Sequence, residues 1–333
     1  MKIALDAMGG DFAPGNMIAG ARMALADFPR ITKLYLVGDT ATLKTEMEKA
    51  GLRDSRAEIV HASEIVAMTD SAVKSIRQKK DSSIAVATDL VKRGDAQAVV
   101  SAGHTGAAVA AATLRLRTLE GVERAGILSP FPNLHGTCGL IDAGANVDSR
   151  AIHLVQHAIM GHVFSKAVYQ MPDPVVGLMS NGEEEGKGNA VSQEVFERLK
   201  QVRGLNFKGN VEGRDILNMP LHVAVCDGFT GNILLKGCEG TAKALLTVLK
   251  QQLTASLSRK ILAGMLKPAL KAAAAKLSYE SYGGSPLLGV NGAVVIAHGS
   301  SSPLAMRNAL RVATEMLQHS VNPLIEQMIA GQS

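Results

Sequence analysis

LHVAVCDGFTGNILLKG, residues 221–237, runs an apolar strand-like stretch straight into Asp227, Gly228, Thr230, Gly231 and Asn232, then into a helical run. Gly and Asn favour turns, and Thr or Asn can cap a helix. The same residues can also present backbone N–H groups and a side-chain amide to an oxygen-rich ligand. The stretch has counterparts along the chain. KIALDAMGG, KLYLVGD, AEIVHAS, AQAVVSAG, RAGILSPF, TCGLIDAGA, PVVGLMSNG, LHVAVCDG and AVVIAHGS each end a β-type run in Gly, Asp or Ser. Helical-period stretches lie between many of them, such as MIAGARMALADF, ATLKTEMEKAG, SIAVATDLVKRG and GAAVAAATLRL. This alternation predicts an α/β/α sandwich with a mostly parallel, Rossmann-like sheet, whose ligands bind beyond the carboxyl ends of the strands.

Composition narrows the class. The 333 residues are 47% hydrophobic, enough for one large core. No Pro- or Ser-rich linker divides the chain, so residues 1–333 read as a single domain, with 250–282 as a helical excursion. Aromatics make up 3% and Trp is absent, which leaves few platforms for base stacking and argues against nucleic acid. Cys138, Cys226 and Cys238 form neither a disulfide framework nor a zinc pattern, as expected in a reducing cytoplasm. The start, MKIALDAMGG, lacks the apolar length of a signal peptide, and no run reaches the roughly 18 apolar residues of a spanning helix.

Five strand ends are unusually polar and glycine-rich, and they are expected to meet on one edge of the sheet as a phosphate-handling site. Gly9, Gly10 and Asp11 lie in DAMGGDFAPG, and Ser101, Gly103, Thr105 and Gly106 in SAGHTGA. DAGANVD spans 142–148, Lys187 lies in SNGEEEGKGN, and Asp227, Thr230, Gly231 and Asn232 lie in CDGFTGN. Lys187 fits a cation for phosphate, oriented by a neighbouring Glu, although such a cluster is more commonly a solvated turn. His298, in AHGSS, is compatible with a site role or a capping role. The glycines spell neither G-x-G-x-x-G nor a P-loop, so nicotinamide and P-loop chemistry lose their main support and no cofactor is expected. His153 and His157 are spaced i, i+4 without the intervening Glu of a zinc helix, and Glu183, Glu184 and Glu185 are consecutive, so no metal is expected. Ser101 and Ser180 lack a nucleophile elbow, and Cys226 reads as a buried thiol.

Together, DAMGGDFAP, SAGHTGA, DAGANVDS, NGEEEGKG, CDGFTGN, YGGSPLLGVNG and AHGSS, in this order, resemble the PlsX family of phosphate acyltransferases over nearly the whole chain. The resemblance implies a homodimer related in fold to isopropylmalate dehydrogenase and phosphate acetyltransferase. It implies attack of inorganic phosphate on the thioester of acyl carrier protein, giving acyl phosphate for phospholipid synthesis and for the downstream glycerol-3-phosphate acyltransferase. The family's catalytic lysine and asparagine map onto Lys187 and Asn232. His104 departs from the family pattern, so no catalytic part is carried to it. Two rivals are a decarboxylating NAD-dependent dehydrogenase of related fold and a non-catalytic membrane or carrier-protein adaptor.

The net charge of +5 is local. Residues 240–279 hold seven basic residues and no acidic one, leaving 28 basic against 30 acidic elsewhere. Leu253, Leu257, Ile261 and Met265 recur at i+4, widened by Leu262 and Leu266, which predicts a basic amphipathic helix broken at Pro268 into a projecting hairpin. Such a face suits an anionic membrane surface, placing the protein in the cytoplasm and peripherally on the inner face of the plasma membrane, or else a dimer interface.

Overall fold

The computed structural model describes residues 1–277 and 282–332. Eleven strands form one sheet: β1 (Lys2–Asp6), β2 (Lys33–Gly38), β3 (Ala57–His61), β4 (Ala98–Ser101), β5 (Gly126–Asn133), β6 (Gly136–Ile141), β7 (Val175–Met179), β8 (Asn206–Val211), β9 (Val223–Val225), β10 (Ser285–Leu288) and β11 (Ala293–Ile296). Their order is β3-β2-β1-β4-β11-β10-β5-β6-β9-β7-β8. The central strands read as unbroken apolar runs because helices cover both faces, and all of β4, β9 and β11 is buried. Local chemistry sets the helix ends. Asp39 caps Thr40–Ala50 by accepting from the Thr42 N–H, and Gly51 closes that helix in the left-handed region at φ 66°. Ser302 accepts from the Ala305 N–H, with Pro303 opening Pro303–Gln318.

The centre of the sheet reverses its direction. β11 runs parallel to β4 and β1, but β10 is antiparallel to β11, β5 to β10, and β6 to β5. From β6 the strands β9, β7 and β8 are again mutually parallel, and they point opposite to β1. The carboxyl ends of β1, β4 and β11 therefore share one edge, where Asp6 is level with Ser101 and Ser101 with Ile296. The ends of β6, β9 and β7 share the other, where Ile141 and Leu178 are both level with Val225. This corrects the expectation that all five loops meet on one edge: two of them sit on the first edge and three on the second.

The hairpin also differs from its prediction. One helix runs unbroken from Gly228 to Leu253, so its first arm begins at the CDGFTGN loop itself. The turn falls at residues 254–256, and the return helix, Leu257–Leu277, passes through Pro268 without ending. A proline removes one N–H donor, and the Ala-rich flank keeps the helix going despite that loss. Within the predicted excursion of 250–282, residues 278–281 lie outside the described residues, and Tyr282 lies past the return helix. Leu257, Ile261, Leu262, Met265 and Leu266 are exposed, Leu257 to 77% and Met265 to 75%, and the first arm adds exposed Leu245, Leu246, Val248 and Leu249. Among the described residues no helix is long and apolar enough to cross a membrane.

Candidate active site

Asp142 organises the second edge. It is fully buried just beyond β6, and its Oδ1 accepts from the N–H groups of Ile127 (3.1 Å), Gly144 (3.0 Å) and Ala145 (2.8 Å). Its Oδ2 accepts from the Asn146 N–H (2.7 Å) and side-chain amide (2.8 Å). Five N–H donors around one carboxylate hold the DAGANVD loop rigid without any regular secondary structure. That loop is the floor for CDGFTGN. The Gly228 N–H donates to the Asn146 carbonyl (2.8 Å), and Gly231 packs so closely that a Cβ there would run into the Asp142 carbonyl. Asp227 caps the long helix, accepting from the Thr230 N–H and hydroxyl at 2.8 Å each. Asp227 and Thr230 thus spend their side chains on the helix start, while Asn232, one turn in, lies exposed over Gly144. Cys226 is buried with its thiol donating to the Asp142 carbonyl at 3.7 Å, and burial pushes its pKa well up, which suits packing rather than nucleophilic attack.

Lys187 follows β7, the strand beside β9. Its loop is pinned by amides: Asn181 accepts from the Gly188 N–H (2.9 Å), Gln193 donates to the Gly186 carbonyl (2.9 Å), and Asn210 donates to the Glu184 carbonyl (2.8 Å). Asn189 caps the helix Ala190–Leu199 by accepting from the Ser192 N–H. Gly188 takes φ 96°, where a side chain would be strained and would also meet Ser192 and Ser180. The three glutamates diverge to three cations: Glu183 to Arg214 (3.5 Å), Glu184 to Lys187 (4.0 Å) and Glu185 to Lys200 (3.7 Å). Lys187 keeps 47% of its side chain exposed, so its ammonium is available to an incoming anion.

The first edge is closed. Asp6 is 2% exposed; its Oδ2 accepts from the Ser101 hydroxyl (2.7 Å), which in turn accepts from the Gly103 N–H (3.1 Å), and its Oδ1 has no hydrogen-bond partner. Burial pushes its carboxyl above the usual range, outweighing the hydroxyls of Ser83 and Ser101. Gly9 is obligatory here, because a Cβ on it would lie 2.6 Å from Asp6 Oδ2 and 2.7 Å from the Gly103 nitrogen. Gly10, at φ 115°, turns the chain so that the Asp11 N–H donates to the Gly299 carbonyl (2.8 Å). Thr105 and Gly106 open the helix Thr105–Ala111, which His104 caps by accepting from the Ala107 N–H through Nδ1 (3.3 Å). His298 is exposed, with its Nδ1 2.8 Å from the Ser300 hydroxyl and 3.2 Å from the Ser300 nitrogen. His153 and His157 are core residues on one helix, and the His153 ring accepts from the Arg150 N–H (3.1 Å).

Reading the residues singled out Lys187 and Asn232 but left Asp6 and Asp142 as anonymous starts of their loops. The available signal was an Asp closing an apolar run before a glycine-rich loop, which marks a buried carboxylate that backbone N–H groups or hydroxyls must satisfy.

Residues 1–324 match the family model described as "Fatty acid synthesis protein". The chain belongs to that family, the PlsX phosphate acyltransferases. A phosphate acyltransferase of Akkermansia muciniphila is 52% identical over 99% of this chain and 96% of its own length. One from Pelotomaculum thermopropionicum is 46% identical over 98% and 94%. The phosphotransacetylase of Streptococcus pyogenes, 19% identical, superposes with a TM-score of 0.61 over 96% of this chain and 94% of its own, which shows a shared fold. This member of the PlsX family is therefore an acyltransferase of fatty acid and phospholipid synthesis, and the dehydrogenase and adaptor readings are not favoured.

Proposed function

We propose that the second edge carries the reaction, moving a fatty acyl group from the thioester of acyl carrier protein to inorganic phosphate. The observation that supports this is the placement of Lys187 and Asn232 on loops that follow the adjacent strands β7 and β9 at one edge. Lys187 holds the phosphate dianion, which is already a nucleophile at neutral pH and needs only positioning. A phosphate oxygen attacks the carbonyl carbon, and the amide of Asn232 donates to the oxygen that gains charge. The C–S bond then breaks, and the proton of the phosphate ends on the carrier's thiol. Gly9, Gly10, Asp11, Ser101, Gly103, Thr105, Gly106 and His298 follow β1, β4 and β11 on the other edge and take no part in this step. Incubation with acyl-acyl carrier protein and phosphate should yield acyl phosphate and free carrier in equal amounts. Absence of the acyl phosphate overturns the reading.

The hairpin belongs to the same proposal. Its exposed leucines beside Lys250, Arg259, Lys260 and Lys267 suit an anionic bilayer surface, which keeps an apolar, reactive product close to its consumer. Leu257→Glu with Ile261→Glu should abolish co-sedimentation with phosphatidylglycerol vesicles while the oligomeric state stays the same. Loss of a dimer with vesicle binding intact would assign the face to a partner copy instead.

A further inference from the structure

The helix Ala72–Gln78 and the π-helical turn Ala112–Leu116 border an open groove of about 450 Å³, lined by Ile76, Arg77, Lys80, Asp89, Leu114 and Arg115. Asp89 is paired with Arg115, so the groove's one acid is neutralised. Arg77, Lys80 and nearby Lys74 are exposed and make no ion pair among the described residues. Lys79, between them, is the exception, holding Asp70 at 2.7 Å. Apolar side chains accompany these cations: Leu114 is 45% exposed at the groove, and Val73 and Met68 are exposed on the same helix and the segment before it. A surface of unpaired cations around a few exposed apolar residues gives steering charge at the rim and desolvated contact at the centre.

The groove also connects to the chemistry. Ile76 belongs to the same hydrophobic layer as Ile84, Ala107, Ala111 and Ala143, against which Ala145 and Leu235 of the second-edge loops pack. One rigid layer thus backs both the groove and the loops that frame Asn232.

We propose that this groove is the docking surface for acyl carrier protein, an acidic protein whose helical, convex face presents carboxylates to Arg77 and Lys80 and apolar side chains to Leu114. This rests on the reading of the chain as a carrier-dependent acyltransferase and adds to it the place where the carrier sits. Inorganic phosphate alone fits the groove poorly, since its cations are solvated and spread along a rim rather than converging. A flat bilayer fits it poorly too, because the surface is concave.

The test uses the full-length protein and carrier protein bearing a palmitoyl thioester. Arg77→Glu with Lys80→Glu should weaken carrier binding at least about tenfold by biolayer interferometry, and wild-type affinity should fall as salt rises while the variant's responds less. Leu114→Asp should weaken it severalfold more at high salt than at low salt relative to the charge variant. Turnover separates this inference from the one beneath it. The loss in kcat/KM should be severalfold greater on the carrier-borne thioester than on palmitoyl-pantetheine. Unchanged carrier affinity in the double variant, with wild-type turnover present, overturns the docking surface and leaves the acyltransferase reading standing. Carrier binding absent from the wild type overturns both. A double variant that loses vesicle binding and keeps carrier binding assigns the groove to membrane and overturns the proposal.

Discussion

Two aspartates end two strands of one sheet and meet opposite fates. Asp142 is buried among five N–H donors, while Asp6 is buried beside the hydroxyls of Ser101, at 2.7 Å, and Ser83, and its Oδ1 has no hydrogen-bond partner. Burial holds the Asp6 carboxyl above the usual carboxylate range. The surroundings follow the same division. On the second edge Asn232 and Lys187 are exposed to solvent, whereas beside Asp6 a Cβ on Gly9 would not fit. Strand-end loops of similar composition can therefore leave polar side chains exposed on one edge and close the backbone tightly around a buried acid on the other.

The strongest way to break this contrast is through turnover. Asn232→Ala and Lys187→Ala should each lower acyl-phosphate formation by at least about tenfold, and up to roughly 10²–10³ for a group that meets developing charge. Ser101→Ala on the first edge should cost less than about threefold on the same scale. A loss at Ser101 equal to that at Asn232 would merge the two edges into one site.

Next comes stability at the floor of the open edge. Gly231→Ala forces a methyl against the Asp142 carbonyl and the Cys226 thiol, and backbone cannot give way as a side-chain tip can. The expected cost is about 1–3 kcal/mol, read as a lowered midpoint in urea denaturation. Gly186→Ala, where a Cβ meets nothing within 4 Å, serves as the matched control. Equal midpoints for the two variants would mean that the loop yields and the floor is not rigid.

The smallest effect is a pH dependence. The folded pKa of Asp6 is raised, so the native state binds the extra proton, and the stability linked to this group is complete below the ordinary carboxyl pKa. It is lost as pH rises through the folded pKa. Asp6→Asn should flatten the fall in thermal midpoint over that window while leaving the acid side little changed. A wild-type profile identical in slope to the variant's would place the ionised form in the native protein.

Much of this was readable from residues alone. Each apolar run ending in Gly, Asp or Ser became a strand, and the helical-period stretch SIAVATDLVKRG became the helix Ser83–Lys92. Two strands escaped notice: β8, NFKGNV, is a polar edge strand, and β10, SPLL, is short and opens with Ser-Pro. One is polar and the other only four residues long, so periodicity had too few apolar residues to mark them. Lys187 and Asn232 are marked by their glycine-rich loops after apolar strands together with the family resemblance, which supplies the pairing of the two.

What the chain's own pattern determined is the set of units: buried strands, their polar ends, and the helices that follow, because burial and backbone satisfaction act within a few residues. Only the tertiary structure decided which way each unit points. The β5–β6 hairpin and β10 reverse half of the sheet, which sends SAGHTGA and CDGFTGN to opposite edges. It likewise moved the hairpin's turn from Pro268 to residues 254–256, since a free helix continues past a proline when its flanking residues favour the helix. Strand direction rests on hydrogen bonds between segments that can lie more than a hundred residues apart, and hydrophobic periodicity is identical whether a strand is read up or down.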